Sequence, residues 1–526
     1  MNGKTTVLFC ESSIRNLKQL CRELNVEDTP DRDAAEREIL LHGYERWGAG
    51  IVHHLYGGFS FALREENGRL FCARDAFGIE NFYYCNLPDG RLLCASNLSG
   101  ITSDPGYRKA IDPEALQIYT IFGYPAGERT LWRGIRKLMP GCTLTRDKGP
   151  AAIGRWYRPS FHPEYGVSEQ EWADRIRDTL EEILEEDRLS AGLSGGSAFL
   201  SGGVDSSLLL AASGVRRAAS VSFPKPAFSE WEEASRTAAY LGRDLQNITL
   251  TAKDYISALP RLVRNMELPM ADPSAGAFML GCERVPRENG PWLSGEGADE
   301  FFAGYYVYRR VDELTQDGGS LYYGCDAAMD QDDALRLLRR AEVLPLGGLV
   351  RELYGQSSEW ESLSRLLLID IGLWFEGDIL FAAGRSARAN GIKLTLPFAD
   401  RRMFELSAAI PSDLKLKDGC GKYILRRAAE KWLPHDIAFR KKIGFATPLV
   451  HWFGGEEFRP EIERVLFGDI AAEYFNLDFL RRLWRIYQTG NENVWRIIYT
   501  AYIFVLWVEN CYNGPGEKKP PGGVSA

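Results

Sequence analysis

Residues 198–212 read AFLSGGVDSSLLLAA, in which a Gly-Ser turn joins two apolar runs. An apolar run, a tight turn and a second apolar run predict a strand, a loop and a helix in that order. The adjacent glycines Gly202 and Gly203 let the backbone approach a ligand closely, and the helix that follows presents free N–H groups and the positive end of its dipole. This arrangement predicts a phosphate-binding loop.

The side chains of this loop agree with a phosphate ligand. The hydroxyls of Ser201, Ser206 and Ser207 add donors for phosphate oxygens. Asp205 would repel bare phosphate, but a magnesium ion between the two would make the contact favourable. An isolated Ser-Gly-Gly is more often an ordinary turn, and we interpret residues 194–196, which no aspartate follows, as linker.

A second motif lies at residues 293–305, which read LSGEGADEFFAGY after an apolar approach. Glycines alternate with carboxylates there, so Glu296, Asp299 and Glu300 lie on a backbone that can turn sharply into a site. Acidic, glycine-rich turns are also common on protein surfaces. The presence of the first motif in the same chain favours a site over a surface turn.

Together the two motifs resemble the synthetase domain of the asparagine synthetase family. The first alone resembles the pyrophosphate-binding loop of N-type ATP pyrophosphatases, which split ATP into AMP and pyrophosphate. The resemblance continues, in family order, through ADPS (271–274), LPFAD (396–400), GKYILR (421–426) and RKKIGF (440–445). It covers nearly the whole chain and implies an ATP-dependent enzyme that forms carbon–nitrogen bonds.

The resemblance implies an α/β fold class with two domains. The N-terminal one is expected to be a truncated glutaminase-like (Ntn-type) α/β sandwich. The C-terminal one is expected to be a doubly wound, adenine-nucleotide α-hydrolase-like (PP-loop) synthetase domain with a helical extension. We expect a degenerate class II glutaminase-like domain at 1–158, a linker at 159–169, the ATP-pyrophosphatase domain at 170–512 and a flexible tail at 513–526.

Composition agrees with a globular protein and excludes several classes. Of 526 residues, 45% are hydrophobic and 26% charged, which is ordinary for a globular chain. The net charge of −9 argues against a nucleic-acid binder, whose affinity rests on basic patches. Apolar runs are too short to span a membrane, and the N-terminus carries no signal-peptide pattern. The ten cysteines form no Cys-x-x-Cys pair, so we expect reduced thiols in a cytoplasmic protein.

The N-terminal domain departs from the family at three points. Residues 57–62 (GGFSFA) and 73–78 (ARDAFG) resemble the family's glutaminase domain, which hydrolyses glutamine with a cysteine exposed after Met removal. Here position 2 is Asn2, the oxyanion-hole Phe-Asn-Gly-Glu becomes FCES (9–12), and the Asp-Thr-Glu that holds the substrate's amino group becomes ERE (36–38). We therefore expect no working glutaminase and a structural or substrate-docking role. The cysteine of FCES, inside a predicted strand, is expected to be a core thiol.

The acyl-substrate side departs as well. Asparagine synthetases carry a pattern near Lys-x-Asp-Arg-x-Ser-Met, then Glu-x-Arg before Pro-Phe-Leu-Asp. Counting back from Asp400, this chain has Ala382, Gly384, Arg385, Ala387, Arg388, Lys393 and Thr395. The family's lysine, aspartate, glutamate and second arginine are missing, so a buried charged ligand would lack its partners. Kept ATP motifs beside changed substrate positions predict a shift of substrate.

The resemblance also implies ligands for ATP and Mg²⁺, the two expected cofactors. The loop from Ser201 to Ser207 would hold pyrophosphate, and Asp205 and Asp299 would hold the metal. Backbone groups would hold adenine at Leu200, Val221, Ser294 and Gly295.

Three further side chains receive catalytic roles from the resemblance. Lys442, with Lys422 as the second candidate, would supply positive charge where charge develops on phosphate oxygens. Glu296 would take the proton of an attacking amine.

Three functions stay open. The first is amide synthesis by adenylating a carboxylate other than free aspartate, with a substrate amine, as in lasso-peptide macrolactam cyclases and β-lactam or carbapenam synthetases. Its partners would be a small-molecule or peptide substrate, including a precursor peptide and its maturation partners. The second is an asparagine synthetase that uses free ammonia. The third, a non-catalytic scaffold, is disfavoured by the complete ATP motifs. No nucleic acid or membrane is expected as a partner.

Overall fold

The structure, a computed structural model, describes residues 5–27, 29, 31–287, 290–315, 322–340, 350, 353, 360–441, 444 and 446–513. Lys442 and residues 514–526 of the predicted tail lie outside the described residues. Within the described ranges, no helix combines the length and apolar character needed to cross a membrane.

Two antiparallel sheets form the centre of the N-terminal domain. Their strands are β1 (Thr6–Ile14), β2 (Gly57–Arg64), β3 (Leu70–Arg74), β4 (Tyr83–Asn86), β5 (Leu92–Ala95), β6 (Ile135–Lys137), β7 (Cys142–Arg146) and β8 (Ala152–Arg155). The orders are β1-β2-β3-β7-β8 and β5-β4-β6. Alternate residues of β2 face opposite ways, as strand geometry requires: Phe59 and Phe61 pack with the helices Leu17–Leu24 and Arg32–Trp47, and Ala62 packs towards β4. This layering agrees with the predicted sandwich.

A parallel five-stranded sheet forms the centre of the C-terminal domain. Its strands are β9 (Ser197–Phe199), β10 (Arg217–Ser222), β11 (Asp244–Thr249), β12 (Trp292–Leu293) and β13 (Leu394–Thr395). Their order is β11-β10-β9-β12-β13, and all four neighbouring pairs are parallel. The strand order reverses between β9 and β12, and ligands of doubly wound sheets bind at that point, beyond the carboxyl ends of the strands. The first sequence motif follows β9, and the second begins at the end of β12.

Helices surround this sheet and continue to the C-terminal end of the described chain, in agreement with the predicted helical extension. Those next to the sheet are Glu169–Ala191, Val204–Ser213, Trp231–Leu241, Ala252–Met266 and Pro273–Arg284. Later ones include Ser362–Asp370, Ile371–Leu380, Phe381–Ala389, Arg401–Ala409, Tyr423–Ala429, Arg459–Leu466, Leu477–Gln488 and Trp495–Trp507. The segment Ile371–Leu380 has the wide turns of a π-helix, a form often found at functional sites.

Buried ion pairs join the two domains. Glu376, on the π-helical segment, accepts hydrogen bonds from Arg74 Nη1 (2.9 Å) and Lys137 Nζ (2.6 Å) of the N-terminal domain. All three side chains are at most 4% exposed. Although burial alone would raise the pKa of Glu376, Lys137 and Arg74 hold it below its usual range. The N-terminal domain therefore fixes this helical segment.

A second buried arginine strengthens the same interface. Arg15 lies 2.8 Å from Asp187 and 2.7 Å from Asp400, both in the C-terminal domain. Burial would raise the pKa of Asp400, but Arg15 and then Arg402 lower it to about 2. The charge network therefore holds the N-terminal domain against the C-terminal one.

Glu376→Gln should strongly destabilise the protein. The change keeps the side chain's size but leaves Arg74 and Lys137 buried without a counter-charge, which typically costs about 3–5 kcal/mol. The urea midpoint should fall well below that of the wild type. Glu185→Gln, which breaks an exposed pair with Arg188, is the control and should cost about 0.2–1 kcal/mol. Equal midpoints for the two variants would contradict the anchoring role of Glu376.

Candidate active site

The loop after β9 has a backbone that requires glycine. Gly202 has φ +76°, and a Cβ there would lie 2.8 Å from the backbone nitrogen of Ala234. Ser201 Oγ accepts a hydrogen bond from the Gly203 backbone at 3.2 Å and lies 3.2 Å from Ser206 Oγ. The helix Val204–Ser213 then starts at Gly203, which has no capping side chain, so its first N–H groups suit an anion.

The loop after β12 packs directly against this first loop. A Cβ on Gly295 would lie 3.1 Å from the Asp205 side chain. Gly297 has φ +101° and lies close to the backbone of Phe398 and Ala399, in the LPFAD segment. The two motifs, about ninety residues apart in sequence, thus meet at one edge of the sheet, as the strand order requires.

Lys422 joins the acidic residues of the two motifs. Its Nζ lies 2.5 Å from Asp205 Oδ2 and 2.7 Å from Asp299 Oδ1, and the residue is 1% exposed. The triad leaves no room for a side chain at Gly304, where a Cβ would come within 2.0 Å of both Asp299 Oδ1 and Lys422 Cε. Both predicted metal ligands and the second candidate lysine therefore form one contact group.

A cavity of about 620 Å³ opens beside this triad. The predicted residues that line it are Leu200, Ser201, Gly203, Asp205, Ser206, Val221, Ser294, Gly295, Glu296 and Asp299. Gly202 instead shapes the turn, Ser207 is buried behind it, and Lys422 contacts the cavity's carboxylates. Lys442 is outside the described residues, although its neighbours Gly444 and Ala446 line the cavity. These positions agree with a nucleotide site.

Glu296, the predicted proton acceptor, lies in this cavity. Burial raises its pKa; Ser294 partly offsets this through a hydrogen bond, and Asp299 and Asp205 raise it further. One of its carboxylate oxygens, Oε2, is buried without a hydrogen-bond partner. A proton acceptor is most effective when its pKa is near the working pH, and these contacts move Glu296 in that direction.

The wall opposite the ATP loops was not predicted from the motifs. It includes Phe278, Tyr305, Asp326, Trp374 and Ile379. Tyr305 donates to Glu300 at 2.6 Å and accepts from Trp374 Nε1 at 3.1 Å. Burial and the nearby Asp299 raise the pKa of Glu300 to about 8. Glu300 and Tyr305 lie inside the second quoted motif, and Asp272 is in ADPS, but Phe278, Asp326, Trp374 and Ile379 carry no sequence signal.

The changed acyl-side residues divide between two surfaces. Ala382 lines the cavity with its neighbour Ala383, in keeping with a reshaped substrate wall. Arg385 points away and donates to the backbone oxygen of Asn265 at 2.8 Å. Arg388 crosses to the N-terminal domain and pairs there with Glu11 and Glu80. Neither arginine lines the cavity: Arg388 joins the two domains, and Arg385 makes its contact within the C-terminal domain.

The residues at the positions expected to form a glutaminase site, among them Glu36 and Cys10, make contacts within the protein. Glu36 accepts hydrogen bonds from Ser12 Oγ, from the Ile14 backbone at 3.0 Å and from Arg32 Nε at 2.8 Å. Burial raises the pKa of Cys10 to about 12, so its thiol is not ionised near neutral pH and is a poor nucleophile.

Comparison with known proteins identifies the family. The asparagine synthase family model matches residues 171–509, and the glutamine amidotransferase domain model matches residues 1–157. The chain belongs to the asparagine synthase family. Membership makes it an ATP-dependent carbon–nitrogen ligase, as the resemblance of its motifs implied, and confirms the predicted α/β fold class.

The relatives match this chain over most of its length. Asparagine synthetase [glutamine-hydrolyzing] 1 of Bacillus subtilis is 27% identical, over 96% of this chain and 85% of that protein. A putative asparagine synthetase [glutamine-hydrolyzing] of Mycobacterium bovis is 29% identical, over 95% and 84%. A glutamine-dependent NAD⁺ synthetase structure from Acinetobacter baumannii, in complex with ADP, matches with a TM-score of 0.22 and 12% identity, over 70% of this chain and 85% of that one.

Gly304→Ala should abolish ATP cleavage without unfolding the protein. The added methyl would push apart Asp299 and Lys422, because its Cβ would lie within 2.0 Å of both side chains. Pyrophosphate release should fall by about 10²–10³, as expected when a preorganised charge contact is lost. Gly149→Ala, which meets no atom within 4 Å, is the control and should keep wild-type activity. Near-normal release from Gly304→Ala would show that the triad is not needed for cleavage.

Glu296→Gln should separate the two half-reactions. Adenylate formation, measured by pyrophosphate exchange into ATP, should be kept, while amide formation should fall by about 10²–10⁴ because a proton acceptor is lost. In the wild type, amide formation should decrease as the pH falls through a pKa above that of an ordinary glutamate, since only the ionised carboxylate accepts a proton. The variant should lack this acidic limb. Equal loss of exchange and product would mean that Glu296 serves ATP or metal instead.

Proposed function

We propose that this enzyme adenylates a carboxylate within a larger substrate and closes an amide with an amine of the same substrate, as lasso-peptide macrolactam cyclases do, without hydrolysing glutamine. The observation that carries this proposal is the contrast between its two domains. The ATP side keeps an open cavity of about 620 Å³, whereas the positions that should bind glutamine are tied up by internal hydrogen bonds.

The N-terminal residues oppose glutamine chemistry in a specific way. Hydrolysis of an amide needs donors aimed at the oxyanion that develops. Residues 10–11, Cys-Glu, stand where the family has Asn-Gly, so a carboxylate replaces part of the expected donor pair. Glu11 is engaged by Arg388 of the other domain. This interface supports the structural role predicted for the domain.

The charge of the cavity disfavours free aspartate as the acyl substrate. Seven carboxylate residues line it: Asp205, Glu230, Asp272, Glu296, Asp299, Glu300 and Asp326. No lysine, arginine or histidine is among its described lining residues. Free aspartate would bring a second carboxylate that needs a cationic partner, at a high cost if buried without one. A peptide substrate whose single carboxylate is the group to be activated avoids this cost.

The same acidic wall suits the amine. An amine reaches the site mainly as an ammonium ion near neutral pH. Carboxylates attract that cation, and the raised pKa of Glu296 lets this residue take up a proton. The wall thus supports a substrate that carries its own amine.

The chemistry proceeds in two steps. A carboxylate oxygen of the substrate attacks the α-phosphorus of ATP, the bond to the bridging oxygen of pyrophosphate breaks, and an acyl-adenylate forms. The amine nitrogen then attacks the acyl carbon, AMP leaves with the oxygen, and Glu296 accepts the proton. The loop Ser201–Ser207 orients the phosphates, and Lys422, with Lys442 in the role implied by the family, offsets their negative charge.

Mg²⁺ fits the carboxylates of the triad. Asp205 Oδ1 is buried without a hydrogen-bond partner, and carboxylate with phosphate oxygens is the donor set that Mg²⁺ prefers. Asp205 and Asp299 would hold the ion, which when bound neutralises phosphate charge. In the described part of the chain, no group of three or more histidines, cysteines or acids is arranged to hold a metal ion.

An ammonia-dependent asparagine synthetase is the second candidate. The extent of the match to asparagine synthetases and the presence of Glu296 favour it. The acidic cavity and the altered acyl-side residues favour the ring-closing enzyme over it.

Peptides can distinguish these functions. A peptide with a free N-terminus and one Asp or Glu side chain should release pyrophosphate and lose one water as it cyclises. The N-acetylated peptide should still form an adenylate but no ring, and the Asn- or Gln-substituted peptide should do neither. Pyrophosphate release with free aspartate and ammonium, but with none of a panel of such peptides, would overturn the proposal in favour of the asparagine synthetase.

Glutamine should not serve as the nitrogen donor. Incubation of the full-length protein with labelled glutamine, with and without ATP, should yield no glutamate above the level of a heat-treated control. The reason is that the thiol of Cys10 is held un-ionised and Glu36 is already saturated with donors. Brisk glutamate release would contradict this expectation and restore the glutaminase.

A further inference from the structure

A second, smaller cavity of about 220 Å³ lies beside the first and has the opposite charge. Arg309, Arg426, Arg440 and Lys441 line it, with Asp418 as its one carboxylate. Gly304 and Tyr306 line both cavities, so the two adjoin next to the triad of Lys422, Asp205 and Asp299.

The four cations have no salt-bridge partner among the described residues. Arg310, which follows Arg309 in the chain, pairs with Glu313, but in the described ranges none of these four forms such a pair. Arg426, only 8% exposed, donates instead to three backbone oxygens, those of Gly421, Ala438 and Arg440, at 2.7–3.0 Å. A buried guanidinium without a counter-ion is costly, and an anion in this cavity would relieve that cost.

The charges around Arg440 also favour an anion in this cavity. Burial lowers its pKa, the acidic side chains of Glu230 and Glu233 act against this, and Arg426 and Arg236 lower it further. Glu230 lines the first cavity and Arg440 lines the second, so their electrostatic interaction connects the two cavities. A multiply charged anion at that boundary would meet several cations at once.

We propose that the basic cavity is a second anion subsite, which receives inorganic pyrophosphate as it leaves the ATP loop past Gly304 and Tyr306. The proposal rests on the AMP-forming reaction proposed above, because only that reaction produces pyrophosphate. Pyrophosphate suits the site through its high charge and small size. Arginine binds phosphate oxygens through paired donors, and lysine binds them as a point charge.

The separation of charge gives the subsite a function. The ATP cavity is rich in carboxylates, so free pyrophosphate has few favourable contacts there besides the loop, the lysines and Mg²⁺. Passage into the basic cavity would remove the product from the adenylate and so oppose the reverse reaction. The triad of Lys422, Asp205 and Asp299 stands at the junction.

The test is direct binding of Mg²⁺–pyrophosphate, by calorimetry, to the full-length protein without acyl substrate. The double variant Arg309→Gln/Lys441→Gln removes two exposed cations, so the fold should be kept, as a melting curve will verify. Its affinity for pyrophosphate should fall by about tenfold or more, since each lost charge-assisted contact has a large effect. Its affinity for ATP should change by less than about twofold. Arg310→Gln, which removes an exposed cation paired with Glu313 on the same turn, is the matched control and should leave both affinities unchanged.

The binding measurements distinguish a separate pyrophosphate subsite from an extension of the ATP site. Unchanged pyrophosphate affinity in the double variant would overturn the subsite. Equal weakening of ATP and pyrophosphate would assign the cavity to the bound triphosphate and overturn the release role. Selective weakening of pyrophosphate, with weaker product inhibition in turnover, would support it. If pyrophosphate is released with none of the acyl substrates tested, the proposed function is wrong. The binding measurement still tests the subsite in that case.

Discussion

The ion pairs of Glu376 with Arg74 and Lys137 connect the two domains at the position where the substrate cavity is built. Glu376 lies on the π-helical segment Ile371–Leu380, whose Trp374 and Ile379 line the cavity. The wide turns let neighbouring residues of one segment face two ways, towards the N-terminal domain and towards the substrate. The N-terminal domain thus shapes the site, because the buried charges cannot be separated without leaving one unpaired.

The same dependence on buried charge appears at the ATP loops. Lys422 holds Asp205 of the first motif and Asp299 of the second in one contact group, although the three residues come from separate parts of the chain. Gly304 is required beside them by space, not by backbone angle, because any Cβ would collide with the triad. The loops are therefore positioned by the sheet and held together by the lysine, which prepares a charged site before the nucleotide binds.

Much of the fold could be predicted from the sequence because its signals are local. The segment 198–212 predicts a strand, a loop and a helix, and the structure has β9 (Ser197–Phe199), the glycine loop and the helix Val204–Ser213 there. The ATP loops could be predicted because glycine, serine and aspartate act there through the backbone in short segments. The meeting of Asp272, Asp326 and Trp374 at the cavity could not be predicted, because these residues come together only through tertiary packing of distant helices and loops. The contacts of Arg385 and Arg388 outside the cavity were not predicted for the same reason: a residue's spacing from Asp400 does not show which way its side chain points.

The distribution of charge around the triad links the site to the direction of its reaction. An amide-forming ligase that cleaves ATP must attract an ammonium to the acyl carbon and remove a highly charged anion from the phosphorus. The carboxylates of the first cavity would attract the ammonium. They would repel the pyrophosphate if both ions occupied that one cavity. In this structure a basic cavity adjoins the acidic one, with Gly304 and Tyr306 common to both. Lys422 stands between them with its charge already balanced by Asp205 and Asp299. A metal ion that engages either carboxylate, or a phosphate that engages the lysine, would change this charge balance, so under the proposed mechanism nucleotide binding and pyrophosphate departure act on the same three side chains.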